Sequence, residues 1–93
     1  MATTTKGLLI CHILQLSNRL LRAQPGKPTH NLQTLILLLT GSIQLPVPLT
    51  AVEYRELLAD ISHMLRDEKY IKPHRLVSQI LRLIIQLQNR LRH

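Results

Sequence analysis

The chain has almost no aromatic side chains. Its 93 residues include two tyrosines, Tyr54 and Tyr70, and neither phenylalanine nor tryptophan. Hydrophobic residues nevertheless make up 45% of the sequence, so the core has to be built mainly from leucine and isoleucine. Leucine is a good helix former, whereas strands favour β-branched and aromatic residues, and the composition therefore predicts an all-α protein. Two tyrosines are also a poor basis for binding single-stranded nucleic acids, whose bases usually stack on aromatic rings.

The residues from which catalytic and metal sites are built are scarce as well. Three glycines cannot form a glycine-rich phosphate loop, and the single cysteine, Cys11, cannot form an internal disulfide and is expected to be a small core residue. The histidines are scattered, with no spacing typical of a zinc site. They are His12, His30, His63, His74 and His93. The sequence predicts that the protein is not an enzyme, has no metal site and needs no cofactor.

Acidic residues are absent from most of the chain. All five lie between residues 53 and 68, together with two arginines; they are Glu53, Glu56, Asp60, Asp67 and Glu68. Residues 1–52 carry four cationic side chains and residues 69–93 carry six, so the chain has a net charge of +7 and two basic ends. This balance indicates a polyanionic partner, nucleic acid rather than anionic membrane, unless the basic surface is simply solvated.

Proline and glycine divide the sequence into four apolar, periodic segments, which predict a bundle of four helices in one domain, residues 1–93. The expected helices span residues 6–24, 30–40, 50–68 and 73–92. The second segment is apolar on nearly every side, so we expect it to be the central, most buried helix. A chain of this length buries only about 60 to 65% of its unfolded surface, and a homodimer is therefore expected to complete the bundle.

The third segment has the clearest start signal. Thr50 followed by Glu53 is a capping box, in which each side chain bonds to the backbone N–H of the other residue. The apolar residues that follow have the spacing of one buried helical stripe. They are Tyr54, Leu57, Leu58, Ile61, Met64 and Leu65.

The last segment carries a polar stripe without acids, which we call the basic stripe. At 100° per residue its members point in a common direction. They are Arg75, Gln79, Arg82, Gln86, Asn89 and Arg90, with His93 beyond them. His12, Gln15, Arg19 and, more loosely, Arg22 form a shorter copy on the first segment. Such residues are also ordinary on the outside of a helix, but solvated faces usually mix charges of both signs to gain i,i+4 pairs.

The two terminal segments also share a sequence. Residues 13–22, ILQLSNRLLR, and residues 84–93, IIQLQNRLRH, are identical at six of ten positions. Coincidence in a leucine-rich chain, or similar packing demands, could produce this echo, so it does not establish a repeat. It does predict that the first and last helices offer matching surfaces.

Residues 70–81, YIKPHRLVSQIL, resemble the small helical silencing suppressors of nodaviruses, in which a helix ends at a hydrophobe-x-Lys-Pro junction and another follows. The composition also resembles that of overprinted viral accessory proteins. The first resemblance implies an all-helical dimer that lays antiparallel helices along double-stranded RNA without reading its bases. It makes Lys72, Arg75 and Arg82 the first candidates for phosphate contact. The chain departs from that family because no long charged helix precedes the acidic one.

The leading hypothesis is thus a non-enzymatic homodimer that binds double-stranded RNA of any sequence. Its candidate binding residues are Lys72, Arg75, Gln79, Arg82, Gln86, Asn89, Arg90, Arg19 and Arg22. Duplex RNA is recognised by shape, phosphates and 2′-hydroxyls, which arginines and amides along a helix can contact. One alternative is an adaptor that presents leucine-rich helical surfaces to a host or viral protein.

A second alternative is a peripheral membrane or mitochondrial protein attached through an amphipathic terminal helix, with residues 1–24 resembling a presequence. The longest apolar run, residues 35–39, is too short for an integral membrane span. The RNA hypothesis places the protein in the cytoplasm or nucleus of a host cell.

Overall fold

The computed structural model describes residues 5–41 and 47–91, and it confirms the predicted bundle of four helices. The helices are α1 (Lys6–Arg22), α2 (His30–Thr40), α3 (Ala51–Asp67) and α4 (His74–Arg90). Each predicted boundary that falls on described residues lies within two residues of the observed one. The predicted end of the last helix, at residue 92, lies outside the described residues.

The helix ends follow from local chemistry. The Thr5 hydroxyl caps α1 by accepting from the backbone N–H of Leu8, at 3.2 Å. The second helix stops at Gly41, whose φ of 74° is in the left-handed region that favours glycine. The predicted capping box of α3 is confirmed: Glu53 N–H donates to the Thr50 hydroxyl at 3.1 Å, and Thr50 N–H donates to the Glu53 carboxylate at 3.0 Å.

The four helices form a closed ring in which each contacts two neighbours. The first packs against α2 and α4, and α3 packs against the same two helices. Between the described residues of the diagonal pairs, α1 with α3 and α2 with α4, no Cα atoms come within 8 Å. The core fills the centre of this ring with leucine, isoleucine and one valine. Its fully buried side chains include Ile13, Leu20, Leu35, Leu58, Ile71, Ile80, Ile84 and Leu87.

Three expectations about burial were wrong. The ring has no central helix, so α2 exposes one side, where Leu37 is 44% exposed. Met64 lies at the edge of the α3 stripe and is 43% exposed, because the ring covers only the side of α3 that faces α2 and α4. Cys11 is exposed rather than buried, because it lies on α1 away from Leu9 and Ile13, which face the core.

One buried amide joins the first and last helices. Gln24, just after α1, is 5% exposed, and its side-chain oxygen accepts from the backbone N–H of Lys72 at 3.2 Å. Its amide nitrogen donates to the carbonyls of Leu20 and Lys72. Nearby, the Lys27 ammonium donates to the carbonyl of Tyr70 at 3.4 Å. These bonds hold the C-terminal end of α1 against the N-terminal end of α4.

Candidate nucleic-acid interface

A shallow groove runs between α1 and α4 on the outside of the bundle. It has a volume of about 220 Å³, and we call it the α1–α4 groove. Its lining residues are His12, Leu16, Gln79, Arg82, Leu83 and Gln86. The two leucines form an apolar floor, while the polar side chains stand along both walls. The structure therefore brings three members of the basic stripe to the same surface as His12 of the shorter copy on α1.

The two helices that form this groove are antiparallel. Gln24 at the end of α1 contacts Lys72 at the start of α4, while His12 faces residues 79–86 in the second half of α4. Arg19 lies seven residues after His12, two helical turns along the same face. It is exposed, as is Arg75, and both lie near the end of the groove marked by Lys72. One end of the groove thus collects cations from both helices.

The opposite end of the groove carries fewer candidates. Arg90, the last residue of α4, is exposed and lies at the level of Lys6, the first residue of α1, because the helices are antiparallel. The basic stripe therefore extends along the whole of α4, which at 1.5 Å per residue is about 25 Å long. His93, beyond the stripe, lies outside the described residues.

Two of the candidate residues are placed differently from the others. Asn89 lines a second groove, between α3 and α4, with Arg55 and Glu56. The Arg22 guanidinium bonds to its own helix, where Nε donates to the carbonyl of Asn18 at 3.4 Å. The α1–α4 groove therefore includes Gln79, Arg82 and Gln86 directly, has Lys72, Arg75 and Arg19 at one end, and excludes Asn89.

The echo between the terminal segments is split in the same way. Gln86 lines the α1–α4 groove, but Asn89 faces α3 and its counterpart Asn18 lines a groove between α1 and α2. Both segments belong to the contacting pair of helices, and both asparagines are exposed. The aligned asparagines Asn18 and Asn89 are therefore both on the outside of the bundle, but they line different grooves.

The electrostatics of the surface follow from the position of α3. All five acids lie on α3 or just after it, and α3 is diagonally opposite α1 in the ring. In the described part of the chain, no lysine or arginine nitrogen lies within 4 Å of a carboxylate oxygen. The guanidinium groups beside the α1–α4 groove are therefore not neutralised by direct ion pairs with these acids.

Two titratable groups of α3, Glu53 and Tyr54, have shifted pKa values. The backbone N–H of Thr50, helped by its hydroxyl, hydrogen-bonds Glu53 and lowers the pKa of that carboxyl group. Burial raises the pKa of Tyr54 above its ordinary value. Within residues 5–41 and 47–91, no group of three or more histidine, cysteine, aspartate or glutamate side chains could hold a metal ion. Over those same ranges, each helix is too short or too polar to cross a membrane.

Sequence reasoning did not identify two residues that shape this surface. Gln24 fixes the register of α1 against α4, and Lys27 adds a cation beside Tyr70 at the same end. Both act through contacts with residues more than 40 positions away, so helical periodicity carries no signal for them. The only available hint was the polar character of Gln24 at the end of an otherwise amphipathic segment.

Protein-family models, curated proteins and solved structures were each compared with this chain, and none of them matches it. The resemblance of residues 70–81 to nodaviral suppressors thus stays a prediction that rests on those residues alone.

Proposed function

We propose that this protein binds double-stranded RNA without reading its sequence, through the α1–α4 groove and the cations beside it. No covalent chemistry is involved, and the bound protein acts by covering the duplex. The observation that carries the proposal is the antiparallel contact of α1 with α4, which places two acid-free helix faces next to each other. Neither helix would provide so broad a basic surface by itself.

The chemistry of the groove suits a duplex better than a single strand. Arg82 and Arg75 can pair with phosphates, and Gln79 and Gln86 can hydrogen-bond 2′-hydroxyls. Neither tyrosine lines the groove, and His12 is the one ring among its lining residues, so the groove is a poor platform for stacking successive bases. Phosphate and sugar contacts fix position on a duplex but carry no sequence information.

A gel shift or anisotropy titration with two unrelated RNA duplexes tests this proposal. We expect similar affinities for both duplexes, weaker binding to a single strand of the same length, and a steep loss of affinity as salt rises. The logarithm of the binding constant should fall linearly with the logarithm of salt concentration. Absence of binding at low salt, or binding that ignores salt, would reject the proposal.

Matched arginine substitutions locate the surface. Arg82→Gln removes a cation from the α1–α4 groove, whereas Arg66→Gln removes an exposed cation from α3. Arg82→Gln should lower affinity and reduce the salt slope by about one, while Arg66→Gln should have a much smaller effect. Equal effects of the two variants would show that charge alone, and not this surface, governs binding.

The biological role that we propose is suppression of RNA silencing by a viral accessory protein. Support comes from the resemblance of residues 70–81 and from the position of Lys72 and Arg75 at the cationic end of the groove. A duplex covered along its backbone is protected from nucleases that need the same surface. In a nuclease protection assay, wild-type protein should delay cleavage of a duplex and Arg82→Gln should delay it less.

A second candidate function rests on a different surface. The α1–α2 groove is lined by Asn18, Leu21, Gln33, Ile36 and Leu37. Leu37 is 44% exposed, which is consistent with an adaptor that receives an apolar helix from a host protein. Under this proposal, Leu37→Glu would abolish the biological activity and Arg82→Gln would leave it intact; the RNA proposal requires the reverse.

A further inference from the structure

A groove between α3 and α4 combines an exposed apolar residue with both signs of charge, and we call it the α3–α4 groove. It has a volume of about 310 Å³, and its lining residues are Arg55, Glu56, Ala59, Ile85, Gln88 and Asn89. Ile85 is 50% exposed in this groove. Val52 lies one turn before Glu56 on the same side of α3 and is 51% exposed. The small side chain of Ala59 leaves the groove open between them.

The two charged residues of the α3–α4 groove are adjacent in sequence and unpaired with each other. No ion pair within 4 Å joins Arg55 or Glu56 to another described residue. A two-fold axis packs the same patch of two subunits together, so that residue i of one contacts residue j of the other and the reverse. Across such an axis, Arg55 of each copy can meet Glu56 of the other copy. The groove is therefore complementary to itself.

The charge of the whole chain restricts where two copies can meet. With a net charge of +7, two copies repel one another over most of their surfaces. Acids occur only in residues 53–68, so a contact that balances charge has to include α3. The α1–α2 groove is also partly apolar, but no charged residue lines it and neither of its helices contains an acid. A second depression beside α3 and α4 also has both signs of charge, from Arg66, Lys69 and Glu68, but its Leu65 and Ile71 are at most 1% exposed. The α3–α4 groove instead combines an acid and a base with the half-exposed Ile85.

From this self-complementarity we infer that the α3–α4 groove is the homodimer interface and that its occupant is a second copy of this chain. Ile85 packs at the centre, and the reciprocal Arg55–Glu56 pairs flank it. The contact is preorganised, because the Gln88 amide already donates to the carbonyl of Arg55 at 3.2 Å and holds α4 against α3.

This interface extends the proposed RNA surface, and in that respect the inference rests on the proposed function. Helix α4 forms one wall of the α3–α4 groove and one wall of the α1–α4 groove. A dimer that packs through the α3–α4 groove brings the two α4 helices to the middle of the assembly. The basic stripes of both copies then adjoin, and one duplex can contact both.

The oligomeric state without RNA tests the interface directly, by sedimentation equilibrium over a range of protein concentrations. Wild-type protein should dimerise, and Ile85→Glu should raise the dimer dissociation constant by about tenfold or more. Leu37→Glu is the matched control, because it places the same charge on an exposed apolar residue of the other groove. Both positions are substantially exposed, so neither variant should disturb the core.

A charge swap gives a second, independent measurement. Arg55→Glu and Glu56→Arg should each weaken the dimer, because each places like charges opposite one another across the axis. The double variant exchanges the two charges and should restore much of the lost affinity. A wild-type monomer at every concentration would overturn the inference, and so would a double variant no better than the single ones. A dimer broken by Leu37→Glu but not by Ile85→Glu would also overturn it.

Duplexes of two lengths separate this inference from the proposed function. The monomeric Ile85→Glu variant should still bind a short duplex, but it should lose affinity for one twice as long, which can contact both subunits. If wild-type protein dimerises through this groove and binds no RNA, the proposed function fails and the interface stands. If RNA binding depends on Arg82 but the protein is monomeric, the interface fails and the proposed function stands.

Discussion

Helices α3 and α4 have the same length and similar buried faces, yet the charges on their outer faces are arranged differently. Both contain 17 residues and bury an isoleucine almost completely, Ile61 in α3 and Ile84 in α4. On its exposed side α3 mixes acids with bases and begins at a capping box with Glu53 in its first turn. The last helix begins after Pro73 with no side-chain cap and has no acid in its first turn.

This difference means that the cation at the start of α4 does not stabilise that helix. A helix N-terminus carries a partial positive charge, which favours acids and disfavours cations in the first turn. Glu53 in α3 obeys that rule, but Arg75 in the first turn of α4 opposes it. Arg75 therefore lowers the local stability of α4, and residues that oppose local stability in this way are expected where a surface serves binding.

The largest expected effects concern the hydrophobic core that α3 and α4 share. Ile61→Ala and Ile84→Ala each leave a cavity in the same core, and each should lower the free energy of unfolding by about 2 to 5 kcal/mol. Urea denaturation followed by circular dichroism measures both. Leu8→Ala, on the outside of α1 where the side chain is 58% exposed, is the control and should cost far less. A large loss for only one of the buried isoleucines would contradict the equal burial of the two helices.

The next effect concerns how each helix begins. Thr50→Ala removes the hydroxyl that accepts from Glu53 N–H and should cost about 1 kcal/mol of stability. Thr34 is a suitable control, because it lies inside α2 and its hydroxyl bonds only to the His30 carbonyl of its own helix. In thermal unfolding, Thr50→Ala should lower the melting temperature more than Thr34→Ala does. Equal changes in the two variants would show that the cap contributes nothing special.

A smaller effect should separate stability from binding. Arg75→Glu places an acid in the first turn of α4 and should raise the free energy of unfolding by about 0.3 to 1 kcal/mol at low salt. The same substitution should weaken binding to duplex RNA. Arg82→Glu makes the same change of charge in the middle of the helix, where the dipole has little influence. Equal stabilities of these two variants would contradict our account of the α4 N-terminus.

The smallest effect is a dependence on pH. Hydrogen bonds from Thr50 lower the pKa of Glu53 in the folded state, so ionised Glu53 stabilises the fold above the pKa that it has in the unfolded chain. This contribution is lost as the pH falls through the lowered, folded-state pKa. Denaturant unfolding at a series of acidic pH values should show a shallower decline for Glu53→Gln than for the wild type. Parallel curves for the two proteins would exclude the capping box as a source of acid sensitivity.

The helices could be predicted from the sequence because their ends are set by residues close to them in the chain. Gly41 and the Thr50–Glu53 box act within four residues, and helical periodicity identified the core sides of α3 and α4. The exposure of Leu37 could not be predicted, because it depends on which helices surround α2. An apolar residue on every side of a segment indicates burial only if neighbours cover every side.

The candidate site likewise has features that the sequence predicted and features that depend on tertiary contacts. Periodicity correctly grouped Gln79, Arg82 and Gln86 on one face of α4. It also grouped Asn89 with them, although the angle between Asn89 and Gln86 is large enough for α3 to receive one and α1 the other. The packing of α1 against α4 and the Gln24 hydrogen bonds that join them are tertiary contacts, which the sequence of one segment does not specify.

The bonds between Gln24 and Lys72 join positions 48 residues apart, and this has a consequence for how the protein is made. Contacts between distant parts of a chain form late, because the intervening loop has to close first. On a ribosome, α1 emerges before α4 and cannot pair with it until α4 has also been synthesised. The basic surface thus forms only after α4 has been synthesised, and under the proposed function a nascent chain cannot bind a duplex through it before then.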